Sequence, residues 1–467
     1  ERVARLARTA AAARRAGADY DRDAHHALAR EAAGRSIVLL QNDGALLPLA
    51  QTGSIAVVGE FARTPRYQGG GSSHVNPTRL DVPLDELRAA APDADVAFAP
   101  GFTIDGSGAD AALVADAVAA AGAADVAVVF LGLDASQESE GFDREDIELP
   151  AEQLELLAAV VAVQPKTVVV LQHGGALLLG PVAGLAPAIL DGALLGQAGG
   201  GAIADVVFGA VNPSGKLTET LPARIEDTPA FLDFPGEHRH VRYSEGLFVG
   251  YRWYDARKLE VAFPFGHGLS YTTFEYDAVE AEAAGAGILV RVGVTNTGER
   301  AGREVVQAYV SVPDSAQVRV PRALGGFTTV DLEPGERRVV EIAIDPRDLE
   351  YWDVRVDRFV VEPGAYEVAV GASSRDLRGS ARAELTGDRV VVPLTLESTL
   401  GEVMANPAAA AIIAQAMTMP IPGESDEALG MDMARMMAGI PVERLTSLGG
   451  ASTEQLEQLL AAANAQA

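Results

Sequence analysis

Seven acidic side chains crowd one short connection: Asp134, Glu138, Glu140, Asp143, Glu145, Asp146 and Glu148. Carboxyl groups at this density can present a proton donor to a substrate, or they can simply solvate a turn. Charge pattern alone describes the solvated turn well. Position argues for chemistry. The connection follows an apolar run, Val126 to Leu133, that reads as a buried strand. It precedes Leu149-Pro150-Ala151-Glu152-Gln153-Leu154, which reads as the start of a helix. Open α/β sheets gather ligands at the carboxyl ends of parallel strands. Glu140 is the candidate proton donor.

Other constellations are weaker. Gly69-Gly70-Gly71 could cradle phosphate but is followed by no Gly-Lys-Ser/Thr, so it is not a Walker motif; its glycines are expected instead to bring backbone close to a ligand or a neighbouring domain. His238 and His240 offer two imidazoles on one side of an extended segment, but spacing suggests no third metal ligand. Ser72, Ser73 and His74 lack the GxSxG context of a hydrolase nucleophile.

The elements that must position the acidic loop alternate. Strands are expected at 36–42, 54–59, 96–99, 127–133, 167–172 and 188–192, with helices from Pro83, over 109–124, over 153–163 and over 199–209. The strands are apolar without alternation, as in a parallel sheet covered on both faces. Residues 217 to 272 are rich in Pro, aromatics and His and show no clear period. From Phe274 short alternating strands and the turns Asn296-Thr297-Gly298, Pro334-Gly335 and Pro363-Gly364 read as an immunoglobulin-like sandwich. A tail from 389 is Ala- and Met-rich and helical, with a capping box expected at Thr453.

Composition narrows the partners. The 467 residues suit two to four domains, and 48 % apolar residues suffice for real cores. A net charge of −28 argues against nucleic acid and anionic membranes. The absence of cysteine excludes disulfides and thiolate chemistry. No uncharged apolar run reaches membrane-spanning length. The first residues do not read as a signal peptide but as the middle of a helix, so a preceding segment is expected.

Several motifs in one order carry a resemblance. They are Arg35-Ser36-Ile37-Val38-Leu39-Leu40-Gln41-Asn42, Glu140-Gly141-Phe142-Asp143-Arg144, Gly196-Gln197-Ala198-Gly199-Gly200, Asn212-Pro213-Ser214-Gly215-Lys216-Leu217, Phe248-Val249-Gly250-Tyr251-Arg252-Trp253-Tyr254 and Phe263-Pro264-Phe265-Gly266-His267-Gly268-Leu269-Ser270-Tyr271. Over about residues 25 to 385 the chain resembles the C-terminal portion of the family-three glycoside hydrolases, the β-glucosidase and β-xylosidase group. His267 stands where that family often has Tyr.

The resemblance implies an α/β sandwich with a mostly parallel sheet, then a fibronectin type III-like β-sandwich, with a small α-helical tail beyond. The corresponding divisions are 1–33 for a helical segment leaving a barrel, 34–222, 223–272 for an irregular linker, 273–388 and 389–467. It implies a retaining β-glycosidase whose nucleophilic Asp lies in a (β/α)₈ barrel, in a Ser-Asp-Trp-like motif that this sequence lacks. Glu140 maps to the general acid/base, with Glu138 its rival on the same loop. Neighbouring carboxylates and partial burial are expected to raise its pKa. Tyr67, Gln68 and Ser72 are expected to line the aglycone side, and Asp143 and Arg144 to brace the loop as an ion pair. The partners implied are a small β-glycoside or oligosaccharide and the barrel, in the same or a separate chain; no cofactor and no metal is implied. Compartment and homo-oligomer formation stay open. The alternative is a non-catalytic carbohydrate-binding or scaffolding protein of the same fold.

Overall fold

The computed structural model describes residues 1–14, 19–104, 110–416, 433–447 and 452–465. They fall into two compact units: Glu1–Leu349 with Gly364–Leu385, and Glu350–Pro363 with Thr386–Ala467.

The first unit opens with helix α1 (Arg2–Ala13), none of whose residues is buried. Helix α2 (Arg22–Ser36) is capped by Asp21, whose side chain accepts from the Ala24 N–H. A mixed α/β layer follows: β1 (Val38–Asn42), β2 (Thr52–Val58), α3 (Pro83–Ala90), β3 (Asp93–Ala99), α4 (Ala111–Ala123), β4 (Val126–Gly132), α5 (Ala151–Val163), β5 (Thr167–Gln172), α6 (Gly180–Leu185), β6 (Ala188–Asp191) and α7 (Gly199–Val207). The sheet order is β1-β6-β5-β4-β2-β3. All neighbours are parallel except β1, which runs antiparallel to β6. The unbroken apolar runs are explained by burial: every residue of β5 and β6 is buried, and Phe130 and Leu131 of β4 are fully covered. Each buried Val, Leu, Ile or Phe among them contributes about 1.5–3 kcal/mol. The expected start of α4 at Ala109 lies outside the described residues.

Close helix packing depends on glycine. A Cβ on Gly200 of α7 would strike the Asp81 carbonyl, and one on Gly201 would sit 2.5 Å from the Arg30 guanidinium. Arg30 forms a bidentate pair with Asp205, at 2.6 and 2.8 Å.

The stretch that lacks a period is partly regular after all. It contains β7 (Leu221–Pro222), α8 (Tyr251–Arg257) and β8 (Val261–Phe263). Helix α8 is short and aromatic, and Tyr251 and Tyr254 bury instead of following a long apolar stripe. The β-sandwich comprises β9 (Phe274–Tyr276), β10 (Glu280–Ala284), β11 (Gly287–Asn296), β12 (Gly302–Ser311), β13 (Ala323–Leu332), β14 (Arg337–Ile344), β17 and β18, where β17 is Gly364–Gly371 and β18 is Leu377–Leu385. A small hairpin of the second unit, β15 (Tyr351–Asp353) with β16 (Arg358–Val360), precedes them in the chain. One sheet is β10-β11-β14 with β9 on β11, the other β13-β12-β17-β18. The buried Asn296 closes its turn: its amide donates to the Arg300 and Leu332 carbonyls, and its oxygen accepts from Thr272 and Gly298. His267 ties the sandwich junction to β1 by donating from Nε2 to the Leu40 carbonyl, 2.8 Å.

The second unit adds α9 (Leu400–Ala405), α10 (Pro407–Ala416), α11 (Met433–Ala438) and α12 (Thr453–Asn464) around Leu394, Val403, Val442, Leu456 and Leu460. The capping box belongs to Ser452 and Gln455 and not to Thr453, because Thr453 is already the first helical residue. Part of the Met-rich stretch, 417–432, lies outside the described residues.

Candidate active site

The acidic loop leaves the carboxyl end of β4, the middle of the parallel sheet. Gln153 of α5 pins the strand end by bonding both Gly132 N–H and Gly132 C=O at 2.9 Å. Asp134 then folds the chain back: its Oδ1 accepts from the backbone N–H and hydroxyl of Ser136, at 2.6 and 2.5 Å.

From there the two glutamates part. Glu138 turns inward. Its Oε2 accepts from the Gly174 N–H at 2.7 Å and from Arg66 at 3.1 Å, and Arg66 also donates to the Glu138 carbonyl at 2.7 Å. Arg144 stands 4.0 Å from Glu138 Oε1 and donates to the Ala176 carbonyl at 3.0 Å. Glu140 turns outward and is exposed, and its Oε2 accepts from the backbone N–H of Ser72. The glycine-rich loop after β2 makes this contact possible. A Cβ on Gly71, whose φ is +72°, would collide with the Glu140 side chain, and one on Gly70 would lie 2.6 Å from the Ser139 hydroxyl. The glycines therefore admit the acidic loop.

Two expectations are corrected. Asp143 is exposed and makes no pair with Arg144 among the described residues; Arg144 bonds across to Ala176 and Glu138 instead. Neighbours along an irregular, extended run project to different sides. Nor is Glu140 raised. The backbone N–H and the hydroxyl of Ser72 hold its carboxyl below the ordinary value, because both favour the charged form. Glu138, on the same loop, is already matched by Arg66.

Ser72 thus touches Glu140 directly. Gln68 is committed elsewhere: its amide donates to the Val75 carbonyl and the Tyr67 hydroxyl and accepts from the Val75 N–H, closing the loop on itself. Tyr67 is half-buried and its carbonyl accepts from the Gly196 N–H. His238 and His240 sit on a tight turn in which His238 and Arg239 both have positive φ, not on an extended segment. The described residues hold no cluster of three metal-ligating side chains. A cavity of about 750 Å³ is walled by residues between Leu232 and Arg242, and neither Glu138 nor Glu140 lines it.

Sequence reasoning passed over Arg66, Gln172, His173 and Asp191. Gln172 Oε1 accepts from the Arg66 backbone N–H, and His173 and Asp191 pair behind the loop. All but Arg66 end parallel strands or follow them at once, the position that singled out the acidic loop.

Residues 37–271 match the Glycosyl hydrolase family 3 C-terminal domain, half of the chain, and residues 304–374 match a Fibronectin type III-like domain. The chain belongs to glycosyl hydrolase family 3. This family 3 chain is 45 % identical over 453 residues to an exo-alpha-(1->6)-L-arabinopyranosidase of Bifidobacterium longum, covering 94 % of the chain and 59 % of that relative. It is 42 % identical to thermostable beta-glucosidase B of Acetivibrio thermocellus, with 98 % and 62 % covered. The crystal structure of a GH3 beta-glucosidase from Bifidobacterium adolescentis superposes with a TM-score of 0.83 at 47 % identity, over 88 % of this chain and 60 % of that one. The family 3 chain thus spans about three-fifths of these relatives' length.

Proposed function

We propose that this chain supplies the general acid/base of a retaining glycosidase that releases terminal glycosyl residues, and that a barrel domain supplies the nucleophilic Asp. The observation that carries the reading is the contrast between the two glutamates. Glu138 is spent on Arg66 and Gly174, whereas Glu140 is exposed and held by a fixed N–H at the rim of the sheet. A barrel Asp, its carboxyl about 5–5.5 Å from that of Glu140, would attack the anomeric carbon while Glu140 protonates the leaving oxygen. Glu140 would then deprotonate the incoming water. Ser72 favours the basic form needed in the second step; covering the carboxyl with a second domain removes water and raises its pKa for the first.

The relatives named above act, by their names, on β-glucosides and on an α-L-arabinopyranoside. Both sugars carry the scissile bond equatorially, so one placement of the acid serves either. The test is to assay the chain with and without its barrel. Aryl β-glucosides and aryl α-L-arabinopyranosides should be cleaved by the barrel-containing protein and not measurably by residues 1–467 alone. Robust turnover by the purified chain alone would overturn the divided site.

A further inference from the structure

Behind the acidic loop lies a buried pair that the reaction as described does not use. His173 follows β5 directly and Asp191 ends β6, so two adjacent parallel strands deliver both to the sheet's carboxyl end. They are 4 % and 6 % exposed. His173 Nε2 lies 3.1 Å from Asp191 Oδ1, and Nδ1 lies 2.6 Å from the Gly175 carbonyl. Asp191 Oδ1 also accepts from the Ala193 N–H at 2.9 Å. An imidazole set between a carboxylate and a carbonyl has two acceptors and no donor to meet, which favours its doubly protonated form.

What the ring holds is the Gly174–Gly175 turn, and that turn seats Glu138. Besides the Gly174 N–H bond, a Cβ on Gly174 would come within 2.8 Å of Glu138 Oε2, and one on Gly175 within 3.2 Å of Oε1 and 3.4 Å of Arg144 Nη1. The turn lies flush against the carboxylate. Glu138 is two residues from Glu140. A displaced turn therefore moves the acid relative to its Ser72 anchor.

We propose that the His173–Asp191 pair is a positioning device for the acid/base loop, acting through the Gly174–Gly175 turn and Glu138. This rests on Glu140 being the acid/base.

The groups around the ring are Asp191, Glu138, Arg144 beside Gly175, and the solvent-reaching Glu219, whose own carboxyl is pushed up by local desolvation although His173 draws it down. Burial pushes the imidazole down, but Asp191 and the Gly175 carbonyl outweigh it and leave the pKa above 6.5. The pair's contribution is therefore complete below about pH 6.5 and fades as pH rises through the higher folded value.

The experiment uses the barrel-containing enzyme with His173→Gln and the near-isosteric Asp191→Asn, so that one variant folds if the other does not. Rates are compared on an alkyl glycoside, which needs the acid, and a dinitrophenyl glycoside, which does not. The expected result is a loss of roughly 10- to 100-fold in kcat on the alkyl substrate, with less than about twofold on the activated substrate's glycosylation step. The alkaline limb of the profile should move to lower pH in Asp191→Asn, and hydrogen exchange at the Gly174 amide should quicken. Equal losses on both substrates, or wild-type rates, limb and exchange, overturn the proposal. Glu140→Ala run alongside separates the failures. If it too shows no leaving-group dependence, the acid/base assignment falls; if it alone shows the dependence, only the role of His173 and Asp191 falls.

Discussion

Glu140→Ala in the barrel-containing enzyme is expected to lower kcat/KM on alkyl glycosides by about 10²–10⁴-fold, the usual worth of a positioned proton donor. The dinitrophenyl glycoside should keep most of its kcat/KM, since its leaving group departs unprotonated. Its kcat should still fall, because the glycosyl intermediate waits for water that no base activates; KM falls with it as the intermediate accumulates. Azide needs no base and should restore kcat while yielding the glycosyl azide. Stopped-flow and steady-state rates on the two substrates, with and without azide, check this. Unchanged activity, or loss that is equal on both substrates and deaf to azide, would remove Glu140 from the role.

Glu138→Ala is expected to fail differently. Arg66 and Arg144 retain only 8 % and 18 % of their side-chain exposure, and Arg66 Nε and Arg144 Nη2 are already buried without an acceptor among the described residues. Removing the carboxylate leaves two guanidinium groups facing each other across an empty seat. Breaking a buried pair from one side costs about 3 kcal/mol or more. The urea midpoint of the α/β unit should fall accordingly, the displaced loop should cost the alkyl substrate more than the dinitrophenyl one, and azide should restore nothing while the Glu140 carboxylate is still present. A variant as stable as the parent that showed azide rescue would exchange the roles of the two glutamates.

The sequence made the strands and the loop legible and left their commitments hidden. β4, β5 and β6 announce themselves because burial on both faces demands uninterrupted apolar residues. The antiparallel setting of β1 leaves no such mark, since its apolar run reads the same in either direction. Helix α8 leaves little trace in the sequence because its seven residues bury through tyrosines and not through a long stripe. The division between Glu138 and Glu140 could not be read from two identical side chains two residues apart. It is decided by Arg66, 72 positions upstream of Glu138, and Gly174, 36 downstream. The direction of the Glu140 shift is hidden in the sequence for the same reason: its cause, Ser72, lies 68 residues away. The motif order, by contrast, carried the family membership, because many short matches in sequence constrain one another.

The hydrogen bond from Ser72 to Glu140 has a further consequence for assembly. Alone, the chain holds this carboxyl empty of its proton at neutral pH. A barrel that covers it and lifts its pKa draws up to one proton from solution as the two parts join. Association and protonation are then linked quantities: the halves should hold each other more tightly as pH falls, and the heat of joining should vary with the ionisation enthalpy of the buffer.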